Sequence, residues 1–296
     1  MQSSEASATC KERQVMAKPF LKWVGGKAKL LPELTRRLPD DLAKKRYFEP
    51  FLGGGALFFS TRALYRNEAF LSDENADLIQ AYAAIKGDDL SVLQELLRCF
   101  SDLSGDFYYE TRSRWNGDRL NWSAQKRAAC FIYLNKVCFN GLYRVNREGR
   151  FNVPMGTAKN PKIVDLKTIK AAHIALAGAD LAAIPFELAL PRIGSGDFAY
   201  LDPPYHPASS TANFEAYCKG GFGPIRQCVL AAECQKLHER GGLFMLSNSD
   251  TPFIRELYQG FHIDSVSAPR SINCDATKRG KVGEVIVRNY RNAMDP

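Results

Sequence analysis

Two stretches of the chain alternate short apolar runs with longer helical patterns, and a purely helical stretch lies between them. Tyr47-Phe48-Glu49-Pro50-Phe51 is a compact run that meets a glycine cluster and then Ala56-Leu57-Phe58-Phe59. Phe70-Leu71-Ser72-Asp73 is a second run, ending in an acid. Strand, turn, helix, strand is how a doubly wound sheet opens. From about Ala76 to Asn135 the spacing is helical: Leu78, Ile79, Tyr82 and Ile85, then Leu90, Leu93, Leu96 and Leu97, then Ala128 to Leu134. Leu142-Tyr143-Arg144-Val145 and Arg150-Phe151-Asn152-Val153 flank Asn146-Arg147-Glu148-Gly149, a hairpin pattern whose glycine suits a positive φ.

After about Asp165 the strand–helix alternation returns. Phe198–Leu201 reads as a short buried strand, and Ile225–Arg240 as a helix stopped by Gly241-Gly242. Leu243–Leu246 is a strand, Thr251-Pro252 opens another helix, and Val282–Val287 reads as a closing strand. The pattern predicts an α/β fold, a parallel sheet interrupted by a helical-plus-hairpin insertion. The sheet domain is assigned to 18–75 and 166–290 and the insertion to 76–165. Residues 1–17 are expected to form a disordered lead-in and 291–296 a tail.

Composition narrows the partners. A chain of 296 residues with 45% apolar and 24% charged positions is ordinary for a soluble globular protein. Neither a membrane span nor a secretory signal is readable, so the expected location is the cytoplasm. A net charge of +8 favours a polyanionic partner, because neutralised phosphates release condensed counterions. The eight cysteines (Cys10, Cys99, Cys130, Cys138, Cys218, Cys228, Cys234, Cys274) include no Cys-x-x-Cys pair and no zinc spacing. They are read as buried, reduced thiols, with no metal expected.

Chemistry enters at two places. Phe51-Leu52-Gly53-Gly54-Gly55 lies where a first strand turns into a first helix, so a ligand can approach the backbone closely. Asp73 ends the second strand, where a carboxylate can accept from ribose hydroxyls. Such a turn serves NAD, FAD and S-adenosylmethionine alike. Gly-x-Gly-x-x-Gly is not met, since Phe58 stands three residues after Gly55, which favours a nucleoside over a dinucleotide. The second place is Asp202-Pro203-Pro204-Tyr205, directly after the strand 198–201. An exocyclic ring amine is a poor nucleophile because its lone pair is delocalised. The Asp202 carboxylate and the Pro203 carbonyl can each accept one of its hydrogens, and Pro204 removes a competing N–H. Tyr205 offers a face for stacking a base.

These residues, with others, resemble the Dam-type DNA adenine methyltransferases. The likeness runs from Lys18 to about Arg288 through Pro19-Phe20-Leu21-Lys22-Trp23-Val24-Gly25-Gly26-Lys27, Glu49–Gly55, Phe139–Arg144, Phe151–Pro154, Asp202–Tyr205, Thr211–Phe214, Ser247-Asn248 and Arg270-Ser271-Ile272. The resemblance implies a Rossmann-like S-adenosylmethionine-dependent sheet with an inserted target-recognition domain. It implies that Trp23, Lys27, Asp73 and Asp202 contact S-adenosylmethionine, joined by Phe51, Gly53 and Gly55 of the turn. It further implies an adenine flipped out of double-stranded DNA beside Tyr205, in a GATC site. The DNA contacts it implies are Lys22, Asn140, Leu142, Arg144, Asn152 and Arg270. No membrane and no obligate protein partner is expected, and the setting is bacterial or phage, solitary or within a restriction system. Two departures bear on specificity: Met155-Gly156-Thr157-Ala158 lacks the family's aromatic, and Val145 stands where tyrosine is common. The competing readings are a catalytically inactive DNA-binding relative, an RNA or protein amide N-methyltransferase, and a dehydrogenase.

Overall fold

The computed structural model describes residues 17–65, 68–158, 160–163, 165–207, 222–267 and 283–295. Seven strands run in chain order: β1 (Arg46–Glu49), β2 (Ala69–Ser72), β3 (Ala179–Ala182), β4 (Asp197–Leu201), β5 (Leu243–Ser249), β6 (His262–Ser267) and β7 (Gly283–Arg288). They form one sheet in the order β3-β2-β1-β4-β5-β7-β6. β1 to β5 pair in parallel, whereas β7 runs antiparallel to both β5 and β6. The strand order reverses between β1 and β4, so the crevice beyond their carboxyl ends is where a doubly wound sheet binds ligands.

Helices cover both faces, and the alternation of side chains along each strand decides which core each residue joins. In β4, Phe198 and Tyr200 enter one core with Tyr47, Leu71, Met245 and Ile286. Ala199 and Leu201 enter the other with Phe48, Phe244, Leu246 and Val287. All five β4 residues are buried. The first core is closed by α1 (Leu31–Thr35), α2 (Ala56–Thr61), α3 (Ala76–Lys86), α4 (Leu90–Cys99), α5 (Gly105–Asp118), α6 (Ala124–Val137) and α7 (Leu166–Leu176). The second is closed by α8 (Phe186–Ala189), α9 (Pro224–Glu239) and α10 (Pro252–Leu257). Local chemistry sets the helix starts. Asn75, Ser104, Ser123, Asp165 and Thr251 each accept an amide of the following turn with the side chain. α6 is buried from Ala128 through Asn135 because α3, α4 and α5 surround it. No helix among the described residues is long and apolar enough to cross a membrane.

Several expectations are corrected. The sheet is mixed rather than wholly parallel, and the strand expected to close it, found at Gly283–Arg288, lies inside the edge strand β6. β3 (Ala-Asp-Leu-Ala) is short with a single large apolar side chain, and β6 (His-Ile-Asp-Ser-Val-Ser) has two apolar positions in six, so neither stands out; each is an edge strand with one side unpaired. The expected hairpin is present but short. Its arms are joined by an antiparallel bridge of Val145 with Phe151, with Asn146 N–H to Arg150 carbonyl at 2.9 Å and Asn152 N–H to Arg144 carbonyl at 3.1 Å, and a second bridge joins Cys138 with Met155. The second arm is also held by α5: Asn116 accepts the Phe151 N–H at 2.8 Å and donates to its carbonyl at 3.0 Å. Tyr108 and Arg112 both donate to the Val153 carbonyl. Gly149 does take a positive φ of 73°. Among the thiols, Cys130, Cys138 and Cys234 are buried but Cys99 and Cys228 are exposed, and Cys10, Cys218 and Cys274 lie outside the described residues.

Candidate active site and base-reading segment

Asp202 leaves the end of β4 one strand away from the turn that follows β1, about 4.8 Å in a sheet. Lys27 Nζ lies 2.7 Å from Asp202 Oδ1, and the Ser247 hydroxyl donates to the same oxygen at 3.0 Å. Ser247 in turn is 3.0 Å from the buried Tyr200 hydroxyl. Burial pushes the Asp202 carboxyl above the usual carboxylate range, and Lys27 and Ser247 pull it back. Lys27 also donates to the Gly25 carbonyl at 2.8 Å and sits 4.5 Å above the Tyr205 ring centre. Tyr205 is half-buried, its hydroxyl donating to Glu284 Oε2 at 3.1 Å. One ammonium therefore bridges the acid and the aromatic that the sequence pairs in one motif.

The backbone of this motif is fastened from behind. Gln227 donates to the Pro204 carbonyl at 2.8 Å, and Asn248 donates to Gln227 at 3.2 Å. The Asn248 side-chain oxygen accepts the His206 N–H at 2.9 Å. Pro203 is buried and Pro204 exposed. Ser247, Gln227 and Glu284 escaped the sequence reading as site residues. Ser247-Asn248 enters the family resemblance only as a matched pair, and nothing local marks Gln227 or Glu284, which arrive from other elements.

At the glycine turn, Asp73 Oδ2 accepts the Gly53 N–H at 3.0 Å while Oδ1 accepts the Asn75 N–H at 2.9 Å. Burial raises the Asp73 carboxyl and these two amides oppose the rise. A carboxylate has about four acceptor positions, so two amides leave capacity for hydroxyls. The Tyr82 hydroxyl donates to the Gly53 carbonyl at 3.1 Å. Gly53 has φ +46°, and a Cβ there would lie 2.9 Å from the Trp23 indole. Only glycine lets the indole rest on the turn. Phe51 stacks on Phe186 at 5.3 Å and meets the Phe222 edge at 5.6 Å. Arg226 covers both of those rings and pairs with Glu74 and Glu187. Phe186, Phe222 and Tyr82 were not anticipated here, because aromatics in apolar text carry no signal of which face they line.

Lys22, Asn140 and Leu142 come together through one buried amide. Asn135 accepts the Lys22 N–H at 2.8 Å and donates to the carbonyls of Lys22 (2.9 Å) and Gly141 (3.2 Å). Gly141 has φ +67°, and any Cβ would run into the Lys22 carbonyl. Asn140 is the sole non-glycine residue with positive φ among the described residues, at 54°. Lys22 is exposed and Leu142 half-buried. Arg144 is exposed and donates to Asn152 Oδ1 at 2.9 Å, so these two sit together further along the arm. Lys136, next to Asn135, is pushed down first by burial and then by the charges of Lys162 and Lys22, with Asp165 opposing. Thr157 and Ala158 are both exposed. Arg270 and the segment Thr211–Phe214 lie outside the described residues. No group of three His, Cys, Asp or Glu side chains among the described residues is arranged to hold a metal ion.

Comparison with known proteins agrees with this arrangement. The family model of the D12 class N6 adenine-specific DNA methyltransferases matches residues 23–272. A type II methyltransferase of Methanocaldococcus jannaschii, M.MjaIII, is 40% identical over 92% of this chain and 99% of its own length. The type II methyltransferase M1.LlaDCHI of Lactococcus lactis subsp. cremoris is 38% identical over 95% of this chain and 98% of its own. The DNA adenine methylase of Escherichia coli is 34% identical over 94% of this chain and 97% of its own. With a mixed seven-stranded sheet, an acid–lysine–tyrosine cluster at its switch point and these likenesses over most of the sequence, the chain belongs to the D12 class of N6 adenine-specific DNA methyltransferases.

Proposed function

We propose that the enzyme methylates N6 of an adenine turned out of duplex DNA, taking the methyl group from S-adenosylmethionine, within GATC or a closely related short site. The observation that carries this reading is the Lys27–Asp202–Tyr205 cluster, one strand away from a glycine turn braced by Asp73 and Trp23. The fit to a nucleoside donor rests on Gly53, which lets the indole close on the turn, and on the acceptor capacity left on Asp73. When bound, S-adenosylmethionine supplies an electrophilic methyl group on a sulfonium.

The chain's own work is alignment and electrostatics. Asp202, with Lys27 and Ser247 both on Oδ1, has Oδ2 to accept one N6 hydrogen. The Pro203 carbonyl accepts the other, which favours a tetrahedral nitrogen with its lone pair turned outward. Lys27 opposes the rise that burial imposes on the Asp202 carboxyl and sits over the Tyr205 ring that stacks on the base. Inside a duplex N6 is out of reach, so the base must leave the stack at a cost of a few kcal/mol offset by protein contacts. Those contacts are assigned to Lys22, Asn140, Leu142, Arg144 and Asn152, with residues 76–165 as the recognition insertion. Arg270 is kept as a further contact on sequence grounds. Acting on DNA, the enzyme works in the cytoplasm of a bacterial or phage-infected cell.

The test incubates the protein with isotopically labelled S-adenosylmethionine and unmodified DNA, then maps modified adenines by sequencing. Label on adenine N6 within one short motif is the expected result. No label, or label scattered without a motif, overturns the assignment.

A further inference from the structure

Trp23 separates the two working ends of the site, and the ring stacked on it belongs to neither. Its indole rests against Gly53 and Gly54 of the glycine turn. The Tyr143 ring is stacked on that indole, with centroids 6.1 Å apart and planes 20° apart. Tyr143 lies in sequence between Leu142 and Arg144, two of the residues assigned to reading bases. Its ring also packs on Phe131 of α6 and Phe151 of the second arm, each at 5.7 Å. Its hydroxyl donates to Asp77 Oδ2 at 2.9 Å. Asp77 stands in the first turn of α3, four residues beyond Asp73, with Arg119 and Arg127 at 3.7 and 3.8 Å. Burial and the Asp77 carboxylate both raise the Tyr143 hydroxyl, so it stays a neutral donor.

The reading segment is therefore braced on the wall of the cofactor turn from two sides, the Trp23 indole and the α3 start. We propose that Tyr143 is a positioning residue that couples the cofactor turn to the base-reading segment, so that filling the methyl-donor site and selecting the target duplex are energetically linked. This rests on the reading above, that the two sites take S-adenosylmethionine and duplex DNA. Packed interiors transmit small shifts because they have little slack. A ligand that settles Trp23 on the glycine turn thereby settles Tyr143, and with it the adjoining Leu142 and Arg144. Linkage makes the effect reciprocal: a duplex that fixes the reading segment tightens the donor site by the same factor.

The experiment measures S-adenosylhomocysteine affinity by titration calorimetry, with and without a saturating GATC duplex, for the wild type, Tyr143→Phe and Tyr143→Leu. Expected for the wild type is a tightening of about fivefold or more on adding duplex. Tyr143→Leu loses the stack and brings the ratio to within about twofold of one. Tyr143→Phe keeps the packing, loses the Asp77 bond and falls between. A merely structural role lowers the melting temperature and leaves the ratio alone. A wild-type ratio of one, or wild-type ratios in both variants, overturns the proposal; if Tyr143→Leu does not fold, Tyr143→Phe decides. Wild-type protein that binds no S-adenosylhomocysteine, or no duplex, is a distinguishable result that removes the functional reading and this inference with it.

Discussion

Two carboxyls one strand apart, half-buried Asp202 and fully buried Glu49, are handled differently. Asp202 has a cation beside it; Glu49 is 2% exposed and, among the described residues, accepts from the Tyr47 hydroxyl (2.6 Å) and the Phe58 N–H (3.1 Å). Burial pushes Glu49 up to about 8. At neutral pH the folded chain thus holds a proton that the unfolded chain, with a value of 4.5, has released. The stability this group contributes is complete below about pH 4.5 and erodes as the pH rises to about 8. Glu49→Gln should flatten the fall in stability between pH 5 and 8 by an amount on the order of a few kcal/mol, read from denaturant unfolding at several pH values. An unchanged pH slope would show that Glu49 is ionised when folded. For Asp202→Ala, methyl transfer should drop by about a hundredfold or more while duplex binding stays within about twofold. Wild-type turnover in that variant would refute its role. The Asp-Pro-Pro-Tyr letters alone announced Asp202, whereas Glu49 is an acid in an apolar run whose partners only folding supplies.

Among the elements, the segment proposed to read bases depends most on backbone conformation. Asn140 and Gly141 turn the chain through positive φ, and the Gly141 backbone presses on the Lys22 carbonyl. Gly141→Ala should destabilise the fold by about 1–3 kcal/mol and impair target choice, because strain and collision fall on the same residue. Thermal unfolding checks the first effect and cleavage-protection assays on altered sites the second. Arg144 is freer, an exposed side chain that donates to Asn152. Arg144→Ala should reduce discrimination by about 1–3 kcal/mol across single-base variants of the site, and equal loss at every sequence would instead mark it as a phosphate contact. The core strands β1, β2, β4 and β5 were legible because buried strands must be apolar. The hairpin was legible from its flanking arms and Gly149, but period-two text does not reveal that Asn116 also captures the Phe151 backbone.

At the scale of the molecule, the residues after β7 are tied to α1 rather than trailing. Arg288, 2% exposed, pairs with Asp295 at 2.7 Å and with Asp264 at 2.8 Å, and Asp264 also pairs with Arg37. Asn292 donates to the carbonyls of Arg36 and Leu38. Removing one partner of a buried cation leaves it under-paired, so Asp295→Ala should cost about 1–3 kcal/mol by denaturant unfolding, with catalysis intact at low temperature. An unshifted midpoint would make the pair dispensable. The excess of cations, +8 overall, should make duplex binding fall steeply with salt. A flat response would exclude the phosphate contacts.

The sequence by itself determined the α/β alternation, the glycine turn and the acidic motif, because burial dictates apolar runs and a tight turn or an exocyclic amine accepts few residue types. Only the tertiary structure decided which side chains complete them. Lys27 reaches Asp202 and Tyr205 across 175 residues and more of chain, Asn135 joins Lys22 to Gly141, and Glu284 reaches Tyr205 from an antiparallel strand. Such meetings follow from the order in which strands assemble and the side to which each residue points. No local pattern records that order, since a lysine or asparagine reads the same in the chain whether it is solvated or holds two elements together.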